Sequence, residues 1–153
     1  MDKGLMIRLA NYTEKEKLAR SMAESLPWTY LGVKEETCRK HCNNPDFLVY
    51  IATVHNNYCG GMIIDPQGVA GSPYLKSIVV IPEARNLNIG TQLILFACAR
   101  FSRHAPYLFL CVSAFNQHAK HLYEKLDFRE VCQLHDYLKY GEVELLMVKK
   151  LSN

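Results

Sequence analysis

The sequence lacks several features that would assign it to particular classes of protein. It contains no apolar run approaching the ~20 residues that a membrane-spanning helix needs, and its start has no long apolar core of the kind found in signal peptides. Its lysines and arginines form no dense stripe, and the net charge of +3 is mild. We therefore expect a cytoplasmic protein whose partners include neither membranes nor nucleic acid.

Cysteine is present, but without the pattern of a disulfide framework or a metal site. The six cysteines are scattered and lie mostly in apolar segments, which is typical of buried thiols. Cys38 and Cys42 fall on one face of a predicted helix, and a zinc site could begin in this way. No second ligand pair follows at a suitable spacing, so the sequence predicts no metal.

The apolar pattern predicts one domain over residues 1–153 with mixed α/β structure. A chain of 153 residues with 49% apolar and 22% charged residues has the size and composition of a single globular domain. We predict helices at 13–25, with Thr13 and Glu16 as a capping box, and at 34–42, 89–103 and 116–126. Hairpin and crossover connections in one chain imply a mixed sheet. Strands are predicted at 5–10, 47–54, 58–65, 74–81, 107–113, 129–135 and 142–149, with a turn at 65–68.

The segment from Ile78 to Thr91 has the pattern of a strand, a tight loop and a helix start. Such a turn aims unpaired N–H groups and a helix dipole at one point, where an anion such as a pyrophosphate can bind. The loop reads Arg85-x-x-Asn88-x-Gly90 and matches neither the common phosphate loop nor the dinucleotide-binding turn. Taken alone, the segment is interpreted equally well as a structural turn.

A second motif lies downstream, after the apolar strand at 108–112. It reads Asn116-x-x-Ala119-x-x-x-Tyr123 and is followed by Asp127-Phe128. Together the two motifs resemble the GNAT N-acetyltransferases, whose loop is usually Arg/Gln-x-x-Gly-x-Gly/Ala and whose later helix is commonly Asn-x-x-Ala-x-x-x-Tyr-x-x-x-Gly-Phe. The resemblance covers about residues 74–149 and implies one GNAT-like domain. Its fold would be a twisted, mostly antiparallel sheet of six to seven strands flanked by about four helices.

The resemblance also implies a cofactor, acetyl-CoA, and a reaction, acetyl transfer to an amine. The strand backbone would pair with the pantetheine arm, and the Val80 N–H would stabilise the thioester oxyanion. Tyr123 would be the general acid that protonates the leaving thiolate. The implied cofactor contacts are the strand residues Ile78, Val79 and Val80, the pyrophosphate-binding amides of Arg85, Asn86, Leu87, Asn88, Ile89, Gly90 and Thr91, and Asn116, Ala119 and Tyr123 of the second motif.

Simpler interpretations of the second motif stay open beside the implied ones. Tyr123 could be a half-buried helix tyrosine that packs beside Ala119 and Leu122. Asn116 could be an N-cap, either alone or in addition to a cofactor contact.

The chain departs from the family pattern at three places where glycine is usual. Asn86, Asn88 and Asp127 stand there instead. Asn and Asp are the residues other than glycine that best tolerate positive φ, so we expect the backbone path to be kept. We expect Asn88 to weaken CoA binding, because its side chain lies where the pyrophosphate approaches.

The acceptor and the general base are the least legible parts of the sequence. The family often places a glutamate on the strand before the loop, but residues 74–77 read Tyr-Leu-Lys-Ser. The acceptor would be a peptide or protein N-terminus or a small-molecule amine, and the chain a monomer or homodimer. Asp136 could attract a cationic amine or be a solvated turn acid. Candidate pocket residues are Trp28, Tyr30, Tyr74, Ser77, His135, Asp136 and Tyr137.

Two other functions compete with catalysis. One is a catalytically silent acyl-CoA-binding sensor or interaction module, which the missing carboxylate and the asparagine-substituted loop would suit. The other is a structural α/β domain that binds no CoA.

Overall fold

The computed structural model describes residues 4–151, which form one seven-stranded sheet with helices on both faces. The strand order is β1-β2-β3-β4-β5-β7-β6, and only β4 and β5 are parallel neighbours. This confirms the predicted α/β architecture with a mixed, mostly antiparallel sheet of six to seven strands. The strands are β1 (Leu5–Leu9), β2 (Leu48–Val54), β3 (Asn57–Val69), β4 (Ser72–Val80), β5 (Tyr107–Ser113), β6 (Arg129–His135) and β7 (Val143–Lys150).

Five helices occur in the described part of the chain, one more than predicted. The additional one is α2, a single turn between Pro27 and Gly32 that is too short to show a helical period. The helices are α1 (Tyr12–Ala23), α2 (Trp28–Leu31), α3 (Glu35–Cys42), α4 (Ile89–Phe101) and α5 (Gln117–Lys125), with a 3₁₀ turn at Pro82–Ala84 before α4. No helix within residues 4–151 is long and apolar enough to cross a membrane.

Two hydrophobic clusters hold the helices on the sheet. The larger one lies between the sheet and α4 and α5, with Leu93 and Ile94 of α4 fully buried. The smaller one lies on the other face, where α1 and α3 cover β2, β3 and β4. Cys38 and Cys42 are both buried there, as predicted for apolar thiols. Because successive side chains of a strand point to opposite faces, the strands β2, β3 and β4 contribute to both clusters.

The first helix begins earlier than the sequence analysis predicts. Asn11 is its N-cap and forms a capping box with Glu14: the Asn11 side chain accepts from the Glu14 N–H, and the Glu14 carboxylate accepts from the Asn11 N–H, each at 2.9 Å. The sequence offers a second, overlapping box two residues later at Thr13 and Glu16. Arg8 donates to both Glu14 oxygens at 2.7 and 2.8 Å, which favours the first box.

The predicted turn at 65–68 is wrong, because β3 runs through it. The pairing of β3 with β4 becomes irregular between Asp65 and Val69, and the chain reverses at Ala70–Gly71, where φ is 50° and 81°. Asp65 Oδ1 accepts from the Gln67 N–H at 3.0 Å. This local hydrogen bond is the turn chemistry that the sequence shows, but here it accommodates an irregular strand.

Candidate active site

The two parallel strands at the centre of the sheet separate shortly after they pair. They share only two paired positions, Tyr74 with Phe109 and Leu75 with Leu110. Directly after the second, β4 has an extra residue: Leu75 lies opposite Ile64 and Ser77 opposite Ile63, so Lys76 has no partner on β3. A β-bulge of this kind bends its strand. A cleft therefore opens between the last part of β4 and the last part of β5.

The bulge also changes which face each later side chain of β4 occupies. Leu75 packs with α4 and α5, and after the bulge so do Ile78 and Val80. Val79 packs in the cluster under α1 and α3. Strict alternation would have put Leu75 and Val79 on the same face. The bulge thus turns Ile78 and Val80 toward the start of α4.

The backbone of Val80 points into the cleft. The Val79 carbonyl is directed at β3, since a methyl group added to Gly60 would lie 2.1 Å from that oxygen. The Ile81 N–H also points to β3, donating to the Cys59 carbonyl at 2.9 Å. In a trans peptide the C=O and the following N–H point in opposite directions. The N–H and C=O of Val80 therefore both face away from β3, toward the cleft.

The loop after β4 delivers the unpaired end of α4 to the same cleft. Asn86 and Asn88 have φ of 64° and 61°, so the asparagines adopt the left-handed conformation that glycine usually supplies, as expected. Asn88 precedes α4 without a side-chain cap, and the first helical bond runs from the Gln92 N–H to the Asn88 carbonyl at 3.1 Å. The N–H groups of residues 89–91 are thus left at an uncapped helix start, beside the exposed Arg85.

Gly90 is the point at which three elements meet. A methyl group at this position would lie 3.6 Å from Leu122 Cδ2 of α5 and 3.9 Å from Val80 Cγ2 of β4. These are ordinary contact distances, so the fold itself has room for alanine here. The structure therefore brings the strand end, the loop and the second motif together at one end of the cleft.

The second motif places a tyrosine in this region with its ring buried. Tyr123 is 6% exposed and packs near Phe128 with ring centroids 6.0 Å apart. Burial raises the pKa of Tyr123, so the phenol stays protonated at neutral pH. Its hydroxyl makes no hydrogen bond within residues 4–151, yet it is not among their fully enclosed unpartnered atoms. Asn116 is the N-cap of α5, accepting from the Ala119 N–H at 3.3 Å.

A group of polar side chains lies on the opposite face of the sheet beside the cleft. We call Tyr74, Cys111, Ser113 and Glu144 the polar cluster. Ser113 Oγ donates a short hydrogen bond to Glu144 Oε1. Burial raises the pKa of Glu144, while the Ser113 hydrogen bond acts in the lowering direction. Burial also raises the pKa of Tyr74, which interacts with Cys111 and Glu144. Sequence analysis predicted Tyr74 but missed Ser113 and Glu144, which lie on separate strands 31 residues apart.

A second group joins α2 to the hairpin between β6 and β7. The Tyr30 hydroxyl donates to Glu142 Oε1 at 2.5 Å, and Lys139 Nζ donates to the Tyr30 carbonyl at 3.0 Å. Lys139 also lies 3.8 Å from the centroid of the Tyr30 ring, and the Phe115 ring meets it edge-on at 4.7 Å. We call these four residues the Tyr30 bridge. Of its members, sequence analysis predicted Tyr30 alone.

The remaining candidate pocket residues occupy different surroundings. Trp28 packs against the cluster under α1 and α3, and Ser77 is buried on β4. Asp136 has φ of 55°, and its carboxylate accepts from the Gly141 N–H at 2.6 Å, which fits the interpretation as a turn residue. Tyr137 is 65% exposed beside it, and His135 ends β6 opposite Val143. The structure thus brings Tyr30 and Tyr74 to the cleft side and gives Trp28 and Asp136 structural contacts.

Comparisons with known proteins agree on the family and the fold. The sequence model of the Acetyltransferase (GNAT) family matches residues 13–128. No curated protein sequence matches the chain. Among solved structures, the ribosomal-protein-S18-alanine N-acetyltransferase from Escherichia coli is 21% identical with a TM-score of 0.80, covering 97% of this chain and 95% of that one.

Two further structures are similar over nearly the whole chain. An aminoglycoside 6′-N-acetyltransferase complexed with coenzyme A is 19% identical, with a TM-score of 0.77 and coverage of 97% and 98%. Arabidopsis thaliana NAA60, in complex with a bisubstrate analogue, is 19% identical, with a TM-score of 0.78 and coverage of 97% and 99%. At these identities the likeness concerns the fold.

Proposed function

The chain belongs to the GNAT family of acetyltransferases, and we propose that it transfers an acetyl group from acetyl-CoA to a primary amine. The observation that carries this proposal is the direction of the Val80 backbone. Its N–H points into a cleft between two diverging strands, next to an uncapped helix start. A thioester carbonyl at that point would have a fixed donor for the oxyanion that forms during acyl transfer.

The cofactor would lie along β4 and end at α4. Its pantetheine arm would pair with the free backbone groups of Ile78 and Val80, as an added strand does. Its pyrophosphate would accept from the loop amides and from the first N–H groups of α4, where the helix dipole favours an anion. A chain net charge of +3 and the exposed Arg85 suit the same ligand. One similar structure, the aminoglycoside acetyltransferase, was solved with coenzyme A.

Tyr123 is our candidate for the general acid. Acyl transfer expels a thiolate, and a hydroxyl within reach can protonate it. Tyr123 comes from α5, whose Leu122 flanks Gly90 beside Val80, so its ring is on the α4 and α5 side of the cleft. Its raised pKa keeps the donating form available, and its hydroxyl has no partner within the described residues that would hold the proton back.

The acceptor would approach from the other face of the sheet, where the polar cluster and the Tyr30 bridge lie. Glu142 and Glu144 place two carboxylates on this side against the ammonium of Lys139, and Tyr30 and Phe115 supply aromatic rings. These groups suit a positively charged amine. Two similar structures are named for acceptors that carry amines, an alanine of a ribosomal protein and an aminoglycoside. A peptide N-terminus and a small polyamine are therefore the two acceptor classes to compare.

A direct test combines cofactor binding with turnover. The purified protein is titrated with acetyl-CoA by calorimetry, and then mixed with acetyl-CoA and a panel of peptide N-termini and small amines while free thiol is followed. We expect saturable binding and thiol release that depends on the amine, with matching acetylated product by mass spectrometry. Binding without transfer to any amine would favour the sensor alternative. A protein that binds no acetyl-CoA would overturn the proposal.

A further inference from the structure

Glu144 is a buried carboxylate directly before the apolar run of β7. It is 3% exposed, and its neighbours Leu145 and Met147 belong to the core under α4 and α5. Glutamate is rarely buried so fully, because an ionised carboxylate loses its favourable hydration there. The burial of this carboxylate is therefore unfavourable for folding, which indicates that Glu144 has another role.

One oxygen of this carboxylate is fixed and the other is available. Oε1 accepts from Ser113 Oγ. Among residues 4–151, the sole side-chain atom both sealed from solvent and without a partner is Glu16 Oε1. Glu144 Oε2 receives no hydrogen bond from the same part of the chain and is therefore in contact with solvent, on the face where Tyr74 of β4 also lies. An amine that enters the cleft along this face would meet this oxygen.

The strand register places Glu144 on β7, one strand beyond the cleft and level with Ile78 of β4. Leu75 and Leu110 form the last paired position of β4 and β5. Three residues further on, β4 has reached Ile78 and β5 has reached Ser113, which lies directly opposite Glu144 on β7. Both side chains point away from α4 and α5, because Val112 and Leu145 of the same strands point toward them.

We propose that Glu144 is the general base of the reaction, oriented by Ser113. The inference rests on the proposed acetyl transfer. The amine nitrogen forms a bond to the thioester carbon, and Glu144 Oε2 takes a proton from that nitrogen. The carbon–sulfur bond then breaks, the sulfur leaves with the electron pair, and the Tyr123 hydroxyl protonates it. Proton exchange with solvent restores both residues, and the products are the amide and free CoA.

This arrangement separates the two proton transfers on opposite faces of the sheet. Tyr123 belongs to the core on the α4 and α5 side, whereas Glu144 faces the other side. The base therefore meets the attacking nitrogen and the acid meets the departing sulfur. It also supplies the carboxylate that β4 lacks at residues 74–77.

The groups around Glu144 set the direction of its pH dependence. Tyr74 faces it from β4, Cys111 from β5 and Glu142 from the segment just before β7, and none of these is cationic. Strand β6 places the apolar Leu134 opposite it. Burial raises the pKa of Glu144 first, the neighbouring Glu142 charge acts in the same direction, and Ser113 opposes them. The carboxylate is thus a stronger base than an exposed glutamate, closer to what neutral-pH catalysis requires.

The decisive variant is Glu144→Gln, which keeps the shape and removes the base. With the most active amine of the panel, we expect kcat/KM to fall by about 10²-fold or more and the rise of rate with pH to disappear. The dissociation constant of acetyl-CoA should stay within about twofold of the wild-type value. Glu130→Gln on the exposed face of β6 is the matched control and should leave the pH profile unchanged.

Ser113→Ala distinguishes an oriented base from a merely structural pair. The variant keeps Glu144 but removes the hydrogen bond that lowers its pKa, so the rising limb of the pH–rate profile should move to higher pH. A structural role alone would not move that limb. If Glu144→Gln does not fold, a shift of this limb supports Glu144 as the base and an unmoved limb overturns that role.

The outcomes separate this inference from the function on which it rests. If wild-type protein transfers acetyl groups and Glu144→Gln does so with the same rate and pH profile, the role of Glu144 is overturned and the transferase stands. If the wild-type protein binds no acetyl-CoA, the proposed transferase function and the role of Glu144 are both overturned. An unmoved limb in Ser113→Ala, with Glu144→Gln inactive, would retain Glu144 and overturn the orienting role of Ser113.

Discussion

The two sides of the cleft present different chemical groups. On the β4 side the groups that face the cleft are backbone amides, from Val80 and from the start of α4. On the other side they are the side chains of Ser113 and Glu144 from the polar cluster and those of the Tyr30 bridge. A surface made of backbone amides needs only the correct chain path, so it tolerates changes of side chain. A surface made of side chains depends on the identity of each residue, so it can differ between chains of the same fold.

The backbone side is itself held in place by a neighbour without a side chain. Gly60 has φ of 143°, and a methyl group there would lie 2.1 Å from the Val79 oxygen and 2.9 Å from Val80 Cα. Any other residue would push β4 away from β3. The position of the Val80 amide thus depends on a glycine on the adjacent strand, whose effect on β4 is visible only in the folded sheet.

The largest predicted effect comes from removing one amide on the backbone side. Val80→Pro deletes the N–H that faces the cleft without removing a bond to β3, as proline is tolerated where the N–H is unpaired. We expect kcat to fall by about 10²–10³-fold, the loss typical of one oxyanion donor. Acetyl-CoA binding, measured by calorimetry, should weaken far less, because the loop and helix amides remain.

Its matched control is Val79→Pro, one residue earlier. Val79 lies opposite Gly61 in the ladder with β3, so proline there disrupts the sheet. A cost of about 3 kcal/mol would lower the melting temperature by roughly 6–12 °C in a chain of this size. If both variants lose activity and stability in parallel, the assignment of the Val80 amide is not supported.

The next largest effect tests Tyr123 of α5, the proposed proton donor. Tyr123→Phe removes the hydroxyl and leaves the buried ring, so the packing with Phe128 should persist. We expect kcat to fall by about 10²-fold with unchanged acetyl-CoA binding, the usual scale for loss of a general acid. Full turnover in this variant would remove Tyr123 from the mechanism. Stopped-flow detection of free thiol measures the step directly.

A smaller effect is expected from a substitution in the Tyr30 bridge. Tyr30→Phe removes the hydrogen bond to Glu142 but keeps the ring beside Lys139 and Phe115. Because these groups are exposed, the melting temperature should hardly change. We expect the KM for the amine to change by up to about tenfold while the KM for acetyl-CoA is constant. A change confined to the KM for acetyl-CoA would contradict the assignment of the Tyr30 bridge to the acceptor side of the cleft.

The same contrast decides how much of the molecule can be predicted from sequence. Motif spacing predicted the loop before α4 and the helix that carries Tyr123. Asparagine and aspartate at positions where glycine is usual predicted the left-handed conformations of Asn88 and Asp127. Each of these is a local property of a few consecutive residues. Strands 107–113 and 129–135 were predicted at their observed bounds for the same reason. The family then supplied the arrangement of these parts.

What sequence reasoning missed depends on pairing between distant segments. Glu144 is one acid in an apolar run until Ser113 is placed opposite it by the β5–β7 register. The bulge at Lys76 exists only relative to β3. Helix α2 is a single turn whose Tyr30 is held by a residue 112 positions away. None of these three features can be predicted until the pairing of distant segments in the folded chain is known.

The smallest predicted effect returns to the backbone side and asks how tolerant it is. Asn88 occupies φ of 61° at the start of α4, a conformation that glycine adopts without strain. Asn88→Gly should relieve that strain and remove a side chain from the place where the pyrophosphate approaches. We expect the dissociation constant of acetyl-CoA to fall by about two- to fivefold, since one kcal/mol corresponds to about a fivefold change. Asp127→Gly, at φ of 67° after α5, is the control for strain alone. Equal gains in affinity from both variants would mean that general stabilisation, and not clearance at the phosphate site, explains the effect.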